Sequence, residues 1–250
     1  MIHPFLTLES PLPMLPILAV ETATDACSVA FYDGREMQEL FEIAPRQHSA
    51  LVFTMLEQLV SRQSDRLVTP QLIAFGAGPG SFTGLRIAAS FAQGLSFAMR
   101  VPALGVSTLA ALAEGAWRNG SVPPDRTILA CLDARIGQLY VAYYALQDGA
   151  IRALTEPLVA RAQDIEFQAL SENIALVGDG SMHIGDFPQG LRDRIVQELP
   201  EAYPRASDVL AIARLTASEA RQAGHGEILP NYVHTANQWK TLAEQQAMRT

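Results

Sequence analysis

Residues 17–34, ILAVETATDACSVAFYDG, and residues 128–149, ILACLDARIGQLYVAYYALQDG, open alike and close alike. Each begins Ile-Leu-Ala, passes through a polar turn and ends Asp-Gly, and the second starts 111 residues after the first, Ile128 against Ile17. In both, two apolar runs separated by a polar break read as two strands joined by a turn. Chance similarity of two hairpins would not demand the matched openings and endings; duplication of one α/β unit accounts for them. The expected architecture is two similar lobes, each led by a hairpin whose turn faces a cleft.

Working outward, HSALVFTMLEQLVSR, His48–Arg62, places Leu51, Met55, Leu56, Leu59 and Val60 at helical spacing on one face. An apolar strand, Leu72–Phe75, then runs into the glycine turn GAGPGSFTGLR, Gly76–Arg86, and a long helix starts near Thr83. That helix is rich in small residues (Ala88, Ala89, Ser90, Ala92, Gly94, Ser96, Ala98), which suits close packing on its own sheet or on a partner. A third helix, Thr108–Trp117, leads to the second hairpin. Beyond it the pattern gives a helix around Ala162–Ser171, a short strand in IALVGDG and a long helix around Ala206–Ala223. The chain divides into an extension (1–13), a first lobe (14–105), a second lobe (106–225) and a polar tail (226–250). The extension lacks the basic start and cleavage site of a signal peptide, and initiation at Met14 would leave it dispensable.

The composition, 49% hydrophobic against 18% charged with mean hydropathy +0.12, is that of a packed core without long structureless regions. Every apolar run is broken before the roughly 18 residues a membrane span needs, so no membrane partner is expected. A net charge of -8 opposes a direct grip on nucleic acid, which relies on Lys and Arg. The two cysteines, Cys27 and Cys131, fall in strand regions outside any CxxC pair, which fits a reducing, cytoplasmic setting and a packing role.

Two lobes with hairpins facing a cleft suggest, by analogy of fold, the actin, Hsp70 and sugar-kinase (ASKHA) class of ATPases. That class brings backbone N–H groups to phosphates through glycine-bearing turns. Here ETATDACS has no glycine, and DARIGQ has only Gly137 behind the bulky Arg135 and Ile136, so the nucleotide grip is expected to have weakened. Thr24, Asp25, Asp133 and Arg135 remain candidate cleft residues. Asp25 and Asp133, in equivalent turns, could do acid–base or Mg²⁺ work or bond turn amides. The glycine turn matches neither a Walker loop nor a dinucleotide fingerprint, since Gly78, Gly80 and Gly84 give GxGxxxG. It offers Ser81 or Thr83 as a helix N-cap and Gly78 and Gly80 for positive φ; a structural corner and a binding role both fit. The five histidines form no metal pair, no GxSxG elbow occurs, and Asp179, His183 and Asp186 in DGSMHIGD read as a polar loop.

In order, ILAVETATDACSVAFYDG, HSALVFTMLEQLV, AFGAGPGSFTGLRIAASFAQGLSFA, VPALGVSTLAALAEGAW and CLDARIGQLYVAYY resemble the bacterial tRNA threonylcarbamoyladenosine biosynthesis family TsaB (YeaZ). The resemblance spans residues 15–144, and PNYVHTANQWK extends it more faintly. It implies the two-lobed ASKHA fold, no catalytic or metal-binding residues, and no cofactor bound by this chain alone. It further implies partnership with a catalytic relative, TsaD, which modifies the adenosine beside the anticodon of tRNAs reading ANN codons. A small ATPase, TsaE, joins the assembly, ATP and Mg²⁺ are used by the complex, tRNA is met only through it, and the isolated chain forms homodimers. The pairing helices of the family map onto His48–Arg62 and Gly84–Met99, so Leu51, Met55, Leu59, Arg62, Arg86, Ser90, Gln93 and Phe97 are the expected contacts. The catalytic relative's metal-binding histidines have no counterpart in Val106–Gly115. His234 stands where an Arg is expected, and the segment before Met14 is outside the pattern. An independent ATPase or small-molecule kinase is the alternative; a peptidase reading finds no residue to carry it.

Overall fold

The computed structural model describes residues 15–62, 68–167, 173–223, 228–231 and 233. Met14 and the extension, and most of the tail with His234, lie outside the described residues. The first hairpin is β1 (Ile17–Glu21) and β2 (Ala26–Tyr32). β3 (Met37–Ile43), β4 (Leu72–Gly78) and β5 (Ala103–Ser107) complete a sheet ordered β3-β2-β1-β4-β5. β1 pairs antiparallel with β2 and parallel with β4.

The second sheet repeats this plan. β6 (Thr127–Arg135) and β7 (Gln138–Gln147) form its hairpin, β8 (Ala150–Ala153) and β9 (Leu158–Arg161) both pair with β7, and β10 (Ile174–Val177) and β11 (Ile195–Leu199) add the parallel strands. Its order, β11-β10-β6-β7-β8, is the first sheet's order read from the other end. Even the register echoes the duplication: Ile17 faces Tyr32 across one hairpin and Ile128 faces Tyr144 across the other.

Continuous apolar runs are what strands buried on both faces require. On β1, Leu18 and Val20 pack under α1 (His48–Ser61) and α2 (Phe82–Met99), while Ile17 and Ala19 face the opposite layer. That layer is α5 (Ala206–Ala223), which lays Val209, Leu210, Ala213 and Ala217 on the first sheet. Ser28 Oγ accepts the Ala206 amide at 2.8 Å and the Glu39 carboxylate accepts the Ser207 amide at 2.9 Å, both at the helix N-terminus where acceptors are favoured. On β6, Ile128, Ala130 and Leu132 pack under α3 (Thr108–Arg118), and Leu129 and Cys131 face a layer built from 3₁₀ turns and the four-residue α4 (Gln189–Arg192).

Three expectations are corrected. The first sheet extends through Ser107, past the boundary at 105, and α5, assigned to the second lobe, belongs to the first because its apolar stripe packs on that sheet. The helix around Ala162–Ser171 is a single 3₁₀ turn, Ala162–Asp164; the chain then extends so that Ile165 and Phe167 reach the core, and residues 168–172 lie outside the described residues. On α1 the inward stripe is His48, Val52, Met55 and Leu59, while Val60, grouped by its spacing on one face with Met55 and Leu59, is exposed.

Each lobe also turns a corner on a Gly-x-Gly-Ser string after its central parallel strand: Gly78-Pro79-Gly80-Ser81 after β4 and Gly178-Asp179-Gly180-Ser181 after β10. The first glycines take φ +116° and +108°, a region that favours glycine. A Cβ at Gly178 would also strike the Cys131 carbonyl oxygen. Gly178→Ala is therefore expected to cost about 3 kcal/mol, from strain plus overpacking. Gly120→Ala, at φ +76° with open space around it, should cost about 1 kcal/mol from strain alone. Urea denaturation of the two variants measures the difference, and equal losses would contradict the close approach.

Candidate functional site

The two hairpin turns and the β4–α2 corner enclose an interlobe cleft of about 660 Å³. Thr24, Asp25, Gly80, Ser81, Asp133 and Arg135 all line it. Gly78 stands behind the wall, where its missing Cβ makes room for the Asn231 carbonyl oxygen, and Thr83 is exposed on the first turn of α2.

The corner's glycines serve a backbone-to-backbone contact. A Cβ at Gly80 would lie 2.5 Å from the Ala23 carbonyl oxygen, and one at Gly84 would overlap the Thr22 carbonyl oxygen. With no Cβ in the way, the Ser81 amide donates to the Ala23 carbonyl at 2.7 Å and the Thr22 hydroxyl donates to the Gly84 carbonyl at 2.8 Å. Ser81 is the N-cap of α2, accepting from the Gly84 amide at 3.4 Å. The string thus locks the corner onto the first hairpin turn.

Amides in the turns find acceptors within the chain. Glu21 Oε1 accepts the Ala23 amide at 2.6 Å, Thr24 Oγ1 accepts the Ala26 amide at 3.3 Å, and Asp133 Oδ1 accepts the Arg135 amide at 2.8 Å. Asp179 Oδ1 accepts the Asp133 amide at 2.9 Å, and Arg135 reaches Asp133 at 3.4 Å. Arg135, Ile136 and Gly137 all take left-handed φ, leaving the Ile136 side chain fully exposed at the cleft's rim. Of the two possible roles for Asp133, turn closure is the one these bonds show.

Asp179 is the cleft residue that sequence reading passed over as loop. Burial raises its carboxyl above the ordinary range, and the nearby Asp133 and Asp25 charges push the same way. The Gly-x-Gly-Ser repeat was the available signal for it. With three carboxylates and Arg135 as the arginine on its wall, the cleft opposes phosphate more than it attracts it. Among the described residues, no group of three His, Cys, Asp or Glu is placed to hold a metal.

Glu21, at the end of β1, is 1% exposed, and burial pushes its carboxyl up to about 7 against the lowering effect of its hydrogen bonds. Besides Ala23 it accepts from the Thr108 hydroxyl at 3.4 Å, tying the first hairpin to the start of α3.

A second surface lies on the outer side of α1 and α2. Arg86, Ser90, Gln93 and Phe97 form an exposed stripe at helical spacing along α2. Phe97 is 87% exposed, and Phe53 and Val60 on α1 are 57% and 43% exposed. Phe53 meets Phe91 edge-on at 5.4 Å, and the Arg86 guanidinium sits 3.8 Å from the Phe82 ring centre. Of the α1 residues expected at an interface, Arg62 is exposed and Leu51 half-buried. Met55 and Leu59 are spent in the lobe's own core, because they share the inward stripe.

The chain is similar over most of its length to known proteins. A family model described as TsaD, tRNA N6-adenosine threonylcarbamoyltransferase, matches residues 41–224. The tRNA threonylcarbamoyladenosine biosynthesis protein TsaB of Escherichia coli K12 is 34% identical, across 90% of this chain and 97% of that protein. TsaB of Haemophilus influenzae is 28% identical, across 91% and 97%. A solved structure of YeaZ from Pseudomonas aeruginosa superposes with a TM-score of 0.78 at 33% identity, covering 87% of this chain and 99% of that one.

The site gives a pH dependence with a definite sign. Glu21 holds its proton more tightly folded (about 7) than unfolded (4.5), so its contribution to stability is full below about 4.5 and lost as pH rises through 7. Unfolding midpoints in urea should fall over that window. Glu21→Gln should remove part of the slope, at most about 3 kcal/mol, and an unchanged slope would contradict this assignment.

Proposed function

We infer the function from one premise: the chain belongs to the TsaB (YeaZ) family of tRNA threonylcarbamoyladenosine biosynthesis proteins. Its place is therefore in tRNA threonylcarbamoyladenosine biosynthesis. We propose that it acts there as a non-catalytic subunit that assembles with a TsaD-type catalytic subunit and activates it. The observation that carries this reading is the outer face of α1 and α2. A stripe ending in a phenylalanine 87% exposed, flanked by Phe53 and Val60, is apolar surface that association would remove from water. Leu51, Arg62, Arg86, Ser90, Gln93 and Phe97 supply its contacts; Phe53 and Val60 take the places first given to Met55 and Leu59.

The cleft chemistry supports the non-catalytic half of the proposal. The Ala23, Ala26, Asp133 and Arg135 amides of the two turns are committed to the chain's own acceptors, and the walls are acidic. ATP and Mg²⁺ are then used elsewhere in the complex, with a TsaE-type ATPase as the further partner. A net charge of -8 leaves tRNA contact to the other subunits. In isolation the same helical face makes a homodimer. No helix among the described residues is long and apolar enough to cross a membrane, and we place the complex in the cytoplasm.

The test is tRNA modification in vitro by the catalytic subunit, all other components fixed, with and without this chain. Turnover should depend on the chain, and Phe97→Asp should lower it about 10-fold or more at equal concentration, as for an interface hot spot. Sedimentation should show the same variant failing to associate while circular dichroism stays native. Turnover indifferent to the chain would sink the proposal.

A further inference from the structure

α3 is built into the core of the second lobe and α5 into that of the first, so their contact joins the lobes. The joint is acidic inside. Asp208 on α5 and Glu114 on α3 are 1% and 4% exposed, and each keeps one carboxylate oxygen, Oδ2 and Oε2, buried with no hydrogen-bond partner. The other oxygen of Asp208 is held by Arg118, which also donates to Ser207 Oγ at 3.1 Å. A Cβ on Gly115 would lie 2.5 Å from Asp208 Oδ2, so the α5 carboxylate presses on the α3 backbone immediately beside Glu114.

The charged groups around this pair come from four places. Arg118 faces it from α3 and Arg205 from the start of α5; Glu39 faces it from β3 and Glu21 from the end of β1. Arg205 is already engaged by Glu39 at 2.9 Å, which leaves Arg118 as the nearest counter-charge for two buried carboxyls. Two ionised groups with bare buried oxygens are costly, and a proton on either one removes one of the two buried charges.

We propose that the α3–α5 contact is a proton-held joint: the Glu114–Asp208 pair carries one proton in the arrangement described here, and its release to a solvent base makes the two carboxylates repel and loosens the lobes. Burial raises both groups, Glu114 to about 7 and Asp208 to about 6, so release falls near neutrality. The joint borders a second cleft of about 990 Å³ between β3, the end of α3 and the chain from Glu198 to Tyr203, and this cleft would change shape with it. The inference does not rest on the subunit role proposed above.

Spin labels at Arg35→Cys and Arg152→Cys, exposed positions on the two lobes, report the joint by pulsed electron paramagnetic resonance on the full chain. The native Cys27 and Cys131 thiols are buried. At about pH 6.5, between the two values, a single narrow distance is expected, and at about pH 8.5 a longer, broader distribution, with circular dichroism unchanged. Glu114→Gln keeps a donor that has no proton to release, and should hold the low-pH distribution at both values. A native distribution identical at the two pH values overturns the proposal without need of any joint variant. A pH response that survives in Glu114→Gln overturns it as well.

Discussion

Strands apolar on both faces cannot rest in a two-layer structure, and the chain's path is organised by that constraint. α1 and α2 follow β3 and β4 directly and cover one face of the first sheet, but the other face, apart from Ala111 of α3, stays uncovered until the chain has built the whole second lobe. α5 must then return, and the side chains it brings to Ile17, Ala19 and Ala30 are small enough to lie close: Ala206, Val209, Ala213. Its return sets α5 against α3. The lobes are therefore joined by two helices, one from each core, and not by a flexible linker alone.

The same economy explains the cleft. A phosphate site made of hairpin turns needs free N–H groups and room for an anion to approach. In the first turn the room is taken by the β4–α2 corner, whose glycines at 80 and 84 let backbone meet backbone, and the Ala23 amide is taken by Glu21. In the second turn Asp133 and Asp179 accept the amides. The scaffold keeps its two-lobed shape while four amides of its turns are taken by the chain's own acceptors, so the cleft's geometry alone is no argument for nucleotide chemistry.

Much of this was legible in the chain. The paired hairpins, α1, α2, α3, β10 and α5 follow from apolar period and turn residues, because those elements are long or strongly patterned. β3 and β8 were missed although Asp33-Gly34 and Asp148-Gly149, which close the two opening strings, are hairpin turns that deliver the chain into them. On α1, apolar residues occupy both sides of the helix, so spacing alone put Val60 on one face with Met55 and Leu59 and omitted Val52; only the sheet decides which side is core. The destination of α5 was illegible for a related reason: an apolar stripe says that something is covered, not which lobe supplies it. Asp179 was hidden because the repeat of Gly78-Pro79-Gly80-Ser81 at residues 178–181 becomes visible once β10 is seen beside β6.

The two lobes share a strand plan but not a helical one, and that asymmetry bears on where a partner can sit. The outer layer of the first lobe is two helices of 14 and 18 residues, long enough to present several turns of exposed side chain. The corresponding layer of the second lobe is 3₁₀ turns and a four-residue helix; Ile165, Phe187 and Leu191 are buried beneath it, and Met182 is left outside, 71% exposed. Duplication gave both lobes a hairpin and a corner; only the first kept helices with two usable sides. One side of each is consumed by the sheet, and among the residues left outside Phe53, Val60 and Phe97 are apolar where solvation alone would favour polar groups. On the second lobe exposed apolar side chains such as Ile136, Met182 and Val196 sit on a turn, a 3₁₀ segment and a strand, so only the first lobe offers them along paired long helices, which favours that lobe for association.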